Sequence, residues 1–155
     1  MRVLKIDDLP KQPMGTATPI AGWTGGAVSR ARQEIITDEQ SENFRCNVVN
    51  FSAGSTTGWH AHDSDQILVV TAGRGVVASE TEEREITVGD VVHIKAGERH
   101  WHGARADSPM SHITVTTADV EALRFARART NVATPGAWDT QSAMLIRDTS
   151  QVAMN

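Results

Sequence analysis

Gly54-Ser-Thr-Thr-Gly-Trp-His60-Ala-His62-Asp-Ser-Asp-Gln66-Ile-Leu-Val-Val-Thr-Ala-Gly73 is the stretch on which the fold turns. Its second half, Gln66 to Thr71, is a β-branched run of strand length, and Ala72 to Gly75 carries a hairpin turn signal. On a strand, successive side chains point to opposite faces. His60 and His62 then share one face, while Trp59 and Ala61 take the other. Gln66 lies an even step beyond and stays with the two imidazoles if the strand resumes. Two imidazoles and an amide oxygen on one face can ligate one cation.

The surrounding chain repeats the strand signal. Phe44 to Phe51, Gly75 to Ser79, Glu85 to Val88, Val91 to Ile94 and His112 to Thr117 all have strand composition, with glycine turns between them. Many short strands at regular spacing indicate an all-β sandwich or barrel over residues 23–117. Trp23 to Thr37 reads as one or two short strands. Residues 1–22, broken by Pro10, Pro13, Gly15 and Pro19, read as an N-terminal arm. Residues 118–130 fit a short helix capped by Thr117, with a strand-like tail as the alternative. Residues 118–155 as a whole read as a C-terminal extension that packs on the barrel or on a partner subunit.

With 155 residues, 39% hydrophobic and 22% charged, the chain is one domain with enough apolar content for its own core. No apolar run approaches the ~20 residues of a membrane span, and the first residues lack the apolar region of a signal peptide. A net charge of -4 argues against nucleic acid as a partner. The single cysteine, Cys46, excludes an internal disulfide and fits a reducing cytoplasm. Five of the six histidines fall between positions 60 and 102, so the chemistry is to be sought there. A barrel brings a distant strand opposite His60 and His62, and His100 is the donor available to complete the ligand set.

A His-x-His pair also occurs on solvated strands, and the glycine spacing is what adds specificity. Gly54, five residues, His60-Ala61-His62, three residues, Gln66, six residues and Gly73 resembles the first motif of the cupin superfamily, with Gln66 where that motif has Glu. Gly89, five residues, Lys95, Ala96, Gly97, two residues and His100 resembles the second, lacking its proline and its terminal asparagine. The resemblance covers about residues 44–117. The segment His100-Trp-His-Gly-Ala104 and the Gln66 variant are most similar to small bacterial cupins related to cupin-type (R)-hydroxynitrile lyases and to carboxymuconolactone decarboxylase-associated cupins.

This resemblance implies a small double-stranded β-helix, the jelly-roll barrel. It also implies a divalent transition metal (Mn, Fe, Ni or Zn) held by His60, His62, Gln66 and His100. Three imidazoles and an amide are all neutral, so such a site keeps the cation's full charge and suits the stabilisation of an oxyanion. By alternation His102 shares the face of His100. His112 matches a histidine that acts as an acid–base residue in the related lyases, so His112 and His102 are the candidate catalytic pair. Thr114 and Thr116 continue the face of His112, and Val49, Phe51 and Leu68 can wall the substrate pocket. The expected activity is Lewis-acid lyase or isomerase chemistry on a small oxygen-bearing substrate, of the hydroxynitrile-lyase type. An Fe-dependent dioxygenase and a non-catalytic ligand-binding module are the alternatives. A homodimer or higher homo-oligomer is expected, because the edges of a small barrel need covering.

Overall fold

The computed structural model describes residues 1–14, 30–118, 122–124 and 146–147. After a 3-10 turn at Ile6–Asp8 the described chain is built from strands: β1 (Gln12–Pro13), β2 (Arg30–Ile36), β3 (Phe44–Phe51), β4 (His60–His62), β5 (Gln66–Ser79), β6 (Glu83–Thr87), β7 (Val91–Ile94), β8 (His100–Ala104), β9 (Met110–Thr117), β10 (Ala122–Arg124) and β11 (Ile146–Arg147). Every recorded pairing is antiparallel. One sheet runs β1-β2-β3-β9-β5-β7 and the other β6-β5-β8-β4-β10-β11. Two sheets that share a strand and face one another form the jelly-roll barrel.

The shared strand is β5. Its first half pairs with β7 and β9, and its second half pairs with β6 and β8. The sequence places a hairpin turn at Ala72–Gly75, but the chain continues through it as one strand of 14 residues. The turn signal marks a bend instead. The register shifts between Val70 and Ala72, and Gly73 has φ 70°. A Cβ on Gly73 would sit 1.8 Å from the Pro109 carbonyl oxygen, so only glycine lets the chain cross here. At Gly103 the reason is close approach: a Cβ there would meet the Ser55 carbonyl oxygen at 2.4 Å. The loop before β4 is thereby laid directly on β8.

Alternation divides the residues of the first sheet between its faces. Inward along β3, β9 and β5, the register aligns Phe51 with Met110, Val49 with His112 and Val70, and Asn47 with Thr114 and Leu68. Phe51, Met110 and Val70 join Ile86 and Ala104 of the other sheet in the core. Each of the larger buried side chains, Phe51, Val70, Ile86 and Met110, stabilises the fold by roughly 1.5–3 kcal/mol. On the outer face the arm is tied down by Gln33, 2% exposed, whose Nε2 donates to the carbonyls of Ile6 (2.8 Å) and Leu9 (2.9 Å). The described part of residues 1–22 therefore holds a 3-10 turn and a short strand. Where residues 118–130 are described there is no helix: Ala122–Arg124 is a strand paired with β4, because the backbone of that open edge supplies hydrogen-bonding partners. Residues 15–29 and most of 119–155 lie outside the described residues, whereas β2 falls within the stretch from Trp23 to Thr37 that reads as one or two short strands. Among the described residues no helix is long and apolar enough to cross a membrane.

Candidate metal centre and cavity

His60 and His100 face each other directly across β4 and β8. Their ring centroids are 4.1 Å apart, and His62 follows on the same face with its ring 4.9 Å from that of His60. One ligand atom from each of these three histidines lies within 4.8 Å of the other two. Gln66 reaches the cluster from the opposite sheet, at the first position of β5. Its Oε1 is 3.2 Å from His100 Nε2 and its Nε2 is 3.1 Å from His62 Nε2.

The outer ring nitrogens fix the tautomers. His60 Nδ1 donates to the Gly58 carbonyl at 3.0 Å, and His100 Nδ1 donates to the Glu98 carbonyl at 2.8 Å. A carbonyl only accepts, so the proton of each neutral ring sits on Nδ1 and the Nε2 lone pair is left to point inward. Burial lowers the pKa of His100 below the ordinary histidine value, which keeps this ring neutral and able to ligate. The lone pair of His100 Nε2 then faces the lone pairs of Gln66 Oε1 with no proton between them. Two acceptors at contact distance are a poor pair alone and a good pair around a cation. The donor set fits a divalent transition metal ion.

Behind this cluster stand two further imidazoles. His102 and His112 are 3% and 0% exposed. His112 Nε2 and His102 Nδ1 are 3.2 Å apart, and Thr114 Oγ1 is 3.0 Å from His112 Nδ1. A neutral ring carries one proton, so the contacts form a chain whose tautomers are coupled: if His112 Nδ1 accepts from Thr114, His112 Nε2–H donates to His102. Burial depresses His112 to a pKa of about 4. His102 is driven well below its ordinary value by burial, then by His112 and the other imidazoles around it. Thr57, absent from the residues picked out by sequence, aims His102: its N–H donates to the His102 carbonyl (2.9 Å), and the His102 N–H donates to its hydroxyl oxygen (3.1 Å).

Comparison with known proteins agrees with this architecture. The Cupin domain family model matches residues 47–116. A cupin-like protein from Thermotoga maritima superimposes with TM-score 0.57 at 30% identity, covering 66% of this chain and 81% of that one. The chain belongs to the cupin superfamily. An (R)-mandelonitrile lyase from Granulicella tundricola is 44% identical over 68 residues, which make up 43% of this cupin and 52% of the lyase. The matched stretch thus spans about half the length of that curated relative. A sugar phosphate isomerase of the cupin superfamily from Silicibacter pomeroyi shares the fold at TM-score 0.62 and 22% identity, over 79% and 81% of the two chains.

Two hollows reach the cluster in this cupin. A cavity of about 170 Å³ opens at His62 and Gln66 and is lined by Arg32, Glu34, Arg45, Asn47, Thr114 and Thr116, among others. A cleft of about 410 Å³ reaches His100 from the β6 and β7 side, over Val77, Ile86, Val92 and Ile94. Of the residues read as pocket wall, Thr114 and Thr116 line the smaller cavity, whereas Phe51 and Val49 pack in and against the core and Leu68 is fully buried. Arg32, Glu34, Arg45 and Asn47 were not anticipated. The alternation that turns Val49 and Phe51 inward also turns Asn47 and Arg45 inward, which is the signal that could have found them. His93 lies at the rim, 2.8 Å from Asp65, whose other oxygen accepts from the Ala96 N–H.

Proposed function

We propose that this cupin is a metal-dependent enzyme that acts on a small oxygen-bearing molecule by lyase or isomerase chemistry. The observation that carries the proposal is the opposition, inside one barrel, of a neutral three-His-plus-Gln cluster and a buried neutral His102–His112 pair. His60, His62, His100 and Gln66 would hold the ion. When bound, a divalent ion supplies Lewis acidity that lowers the pKa of a substrate hydroxyl. The rest falls to the protein's own groups. His102 stands beside the cluster, its ring 5.5 Å from that of His60, and accepts a substrate proton. In the base form His102 Nδ1–H donates to His112 Nε2 and His112 Nδ1–H donates to the Thr114 hydroxyl oxygen, which leaves the lone pair of His102 Nε2 to take the proton. Burial keeps both rings unprotonated near neutral pH, the state a general base requires.

The similarity to an (R)-mandelonitrile lyase supports carbon–carbon cleavage of an α-hydroxynitrile as the first reaction to assay. The test is turnover of α-hydroxynitriles by metal-analysed protein, alongside oxygen uptake with Fe(II). Cleavage that falls at least about a hundredfold in His112→Ala, with metal content unchanged, is the expected result. Undiminished turnover in that variant removes the assigned role of His112. Oxygen uptake without cleavage would instead favour an Fe-dependent dioxygenase, and tight but unreactive ligand binding a non-catalytic module. A cytoplasmic location and a homodimer belong to the same proposal. The exposed apolar side chains Ile67 (40%) and Val91 (65%) offer a dimer contact, to be checked by sedimentation.

A further inference from the structure

We propose that the cavity beside His62 and Gln66 selects a small hydroxycarboxylate and that Arg32 holds its carboxylate. The inference rests on the reading above, that this site turns over a small oxygen-bearing molecule, and adds the charge and the anchor of that molecule.

The inner face of the first sheet changes character along its length. Its deep end is apolar, with Phe51 opposite Met110. Toward the cavity, Glu34 pairs with Asn47 and Asn47 with Thr114, so three polar side chains share one rung. Arg32 pairs with Val49 and Val49 with His112, which puts Arg32 on the same rung as the imidazole that holds the candidate base His102. A volume of about 170 Å³ is small beside the ~300–1,000 Å³ of a drug-sized pocket, so the occupant has few atoms. An aryl group here would strip water from Arg, Glu and Asn without replacing their hydrogen bonds, which is unfavourable. A hydroxyacid replaces them.

The two arginines of the cavity are not equivalent. Arg45 presents Nε and Nη2 to the two carboxylate oxygens of Asp38, so its fork is closed on a neighbour and pins the loop after β2. Arg32 meets Glu34 through Nη2 alone, at 2.9 Å. A guanidinium has five N–H donors in a planar fork matched to carboxylate, so one such contact leaves donors over for a second carboxylate. Glu34 orients this fork and also competes with the incoming anion. The four metal-ligand side chains are neutral and add no negative charge to repel a carboxylate.

The test is calorimetric titration of the full chain, both Mn(II)-loaded and chelator-treated, with (R)-lactate and with (R)-lactamide, its neutral counterpart. Lactate is expected to bind at least about tenfold more tightly than lactamide, as a charge-assisted hydrogen bond implies. Arg32→Gln should abolish that preference and leave lactamide unchanged. Glu34→Gln should tighten lactate about severalfold, a gain that damage to the fold would not produce. Equal or tighter lactamide binding overturns the proposal, as does an Arg32→Gln loss that is the same for both probes, or a Glu34→Gln variant with no gain for lactate. Lactate preference that depends on Arg32 in a protein that takes up none of Mn(II), Fe(II), Ni(II) and Zn(II) would sink the metal-enzyme reading and keep this one. Mn(II) uptake without that preference would do the reverse, and loss of both sinks both.

Discussion

Two groups of imidazoles share the interior of this barrel, and their outer hydrogen bonds set them apart. In the cluster of His60, His62 and His100, backbone carbonyls hold the Nδ1 protons of His60 and His100 and the lone pairs converge. In the pair, His112 and His102 hold each other, and Thr114 holds His112. A carbonyl can only accept, so it locks a ring into the ligating tautomer. A second imidazole or a hydroxyl can donate or accept, so it leaves a ring able to pass a proton either way. The same residue type is thus made a ligand in one place and a base in the other.

The largest expected effect breaks the first group. His60→Ala or His100→Ala should abolish retention of about one divalent ion per chain, read by elemental analysis of protein purified without chelator, whereas Thr114→Val should retain it. Next comes acid, which acts on the second group. The unfolded chain protonates His112 below its ordinary value of 6.5, while the folded chain resists until about 4. The unfolded state therefore binds more protons in this window, and stability falls as pH is lowered through it, by about 3 kcal/mol. Chemical unfolding of chelator-treated protein between pH 7 and 4 (a range chosen to span roughly the ordinary and the depressed value) should show this slope, and His112→Gln should make it shallower, the remainder coming from His102 and His100. Gln66→Glu sharpens the comparison from the other side. A carboxylate in the ligand set should tighten metal binding about tenfold in a competition titration and weaken the Lewis acid. The smallest effect is that of Thr114→Val, which leaves His112 Nδ1 without its hydroxyl partner and should cost about 1 kcal/mol of unfolding free energy.

The legible part of the fold and of the site was the part set by spacing and parity. His60, His62 and Gln66 are close in sequence, and an even step keeps them on one face whatever the strand's partner. The four motif glycines, Gly54, Gly73, Gly89 and Gly97, all adopt positive φ. Parity settles inside against outside but not depth. Val49, Phe51 and Leu68 do face inward, yet two of them join the core around Met110 and the third is fully buried. Charged residues in β2 and β3 were not singled out, although Arg32, Glu34 and Arg45 line the cavity. Their inward direction depends on pairing with β9, more than 60 residues later in the chain, which no local pattern carries. The bend at Gly73 was misread for the same reason. A turn signal is local, while continuation of β5 is decided by strands β8 and β9 on either side of the crossing.

Gln66 hangs from one sheet and the three histidines from the other, so any ion held by all four is a clasp between the sheets. The sheets cannot part without letting it go. Occupancy therefore adds to the free energy of opening in proportion to the logarithm of ion concentration over the dissociation constant. Resistance to heat becomes a gauge of loading, and melting temperature can rank candidate ions before any substrate is known.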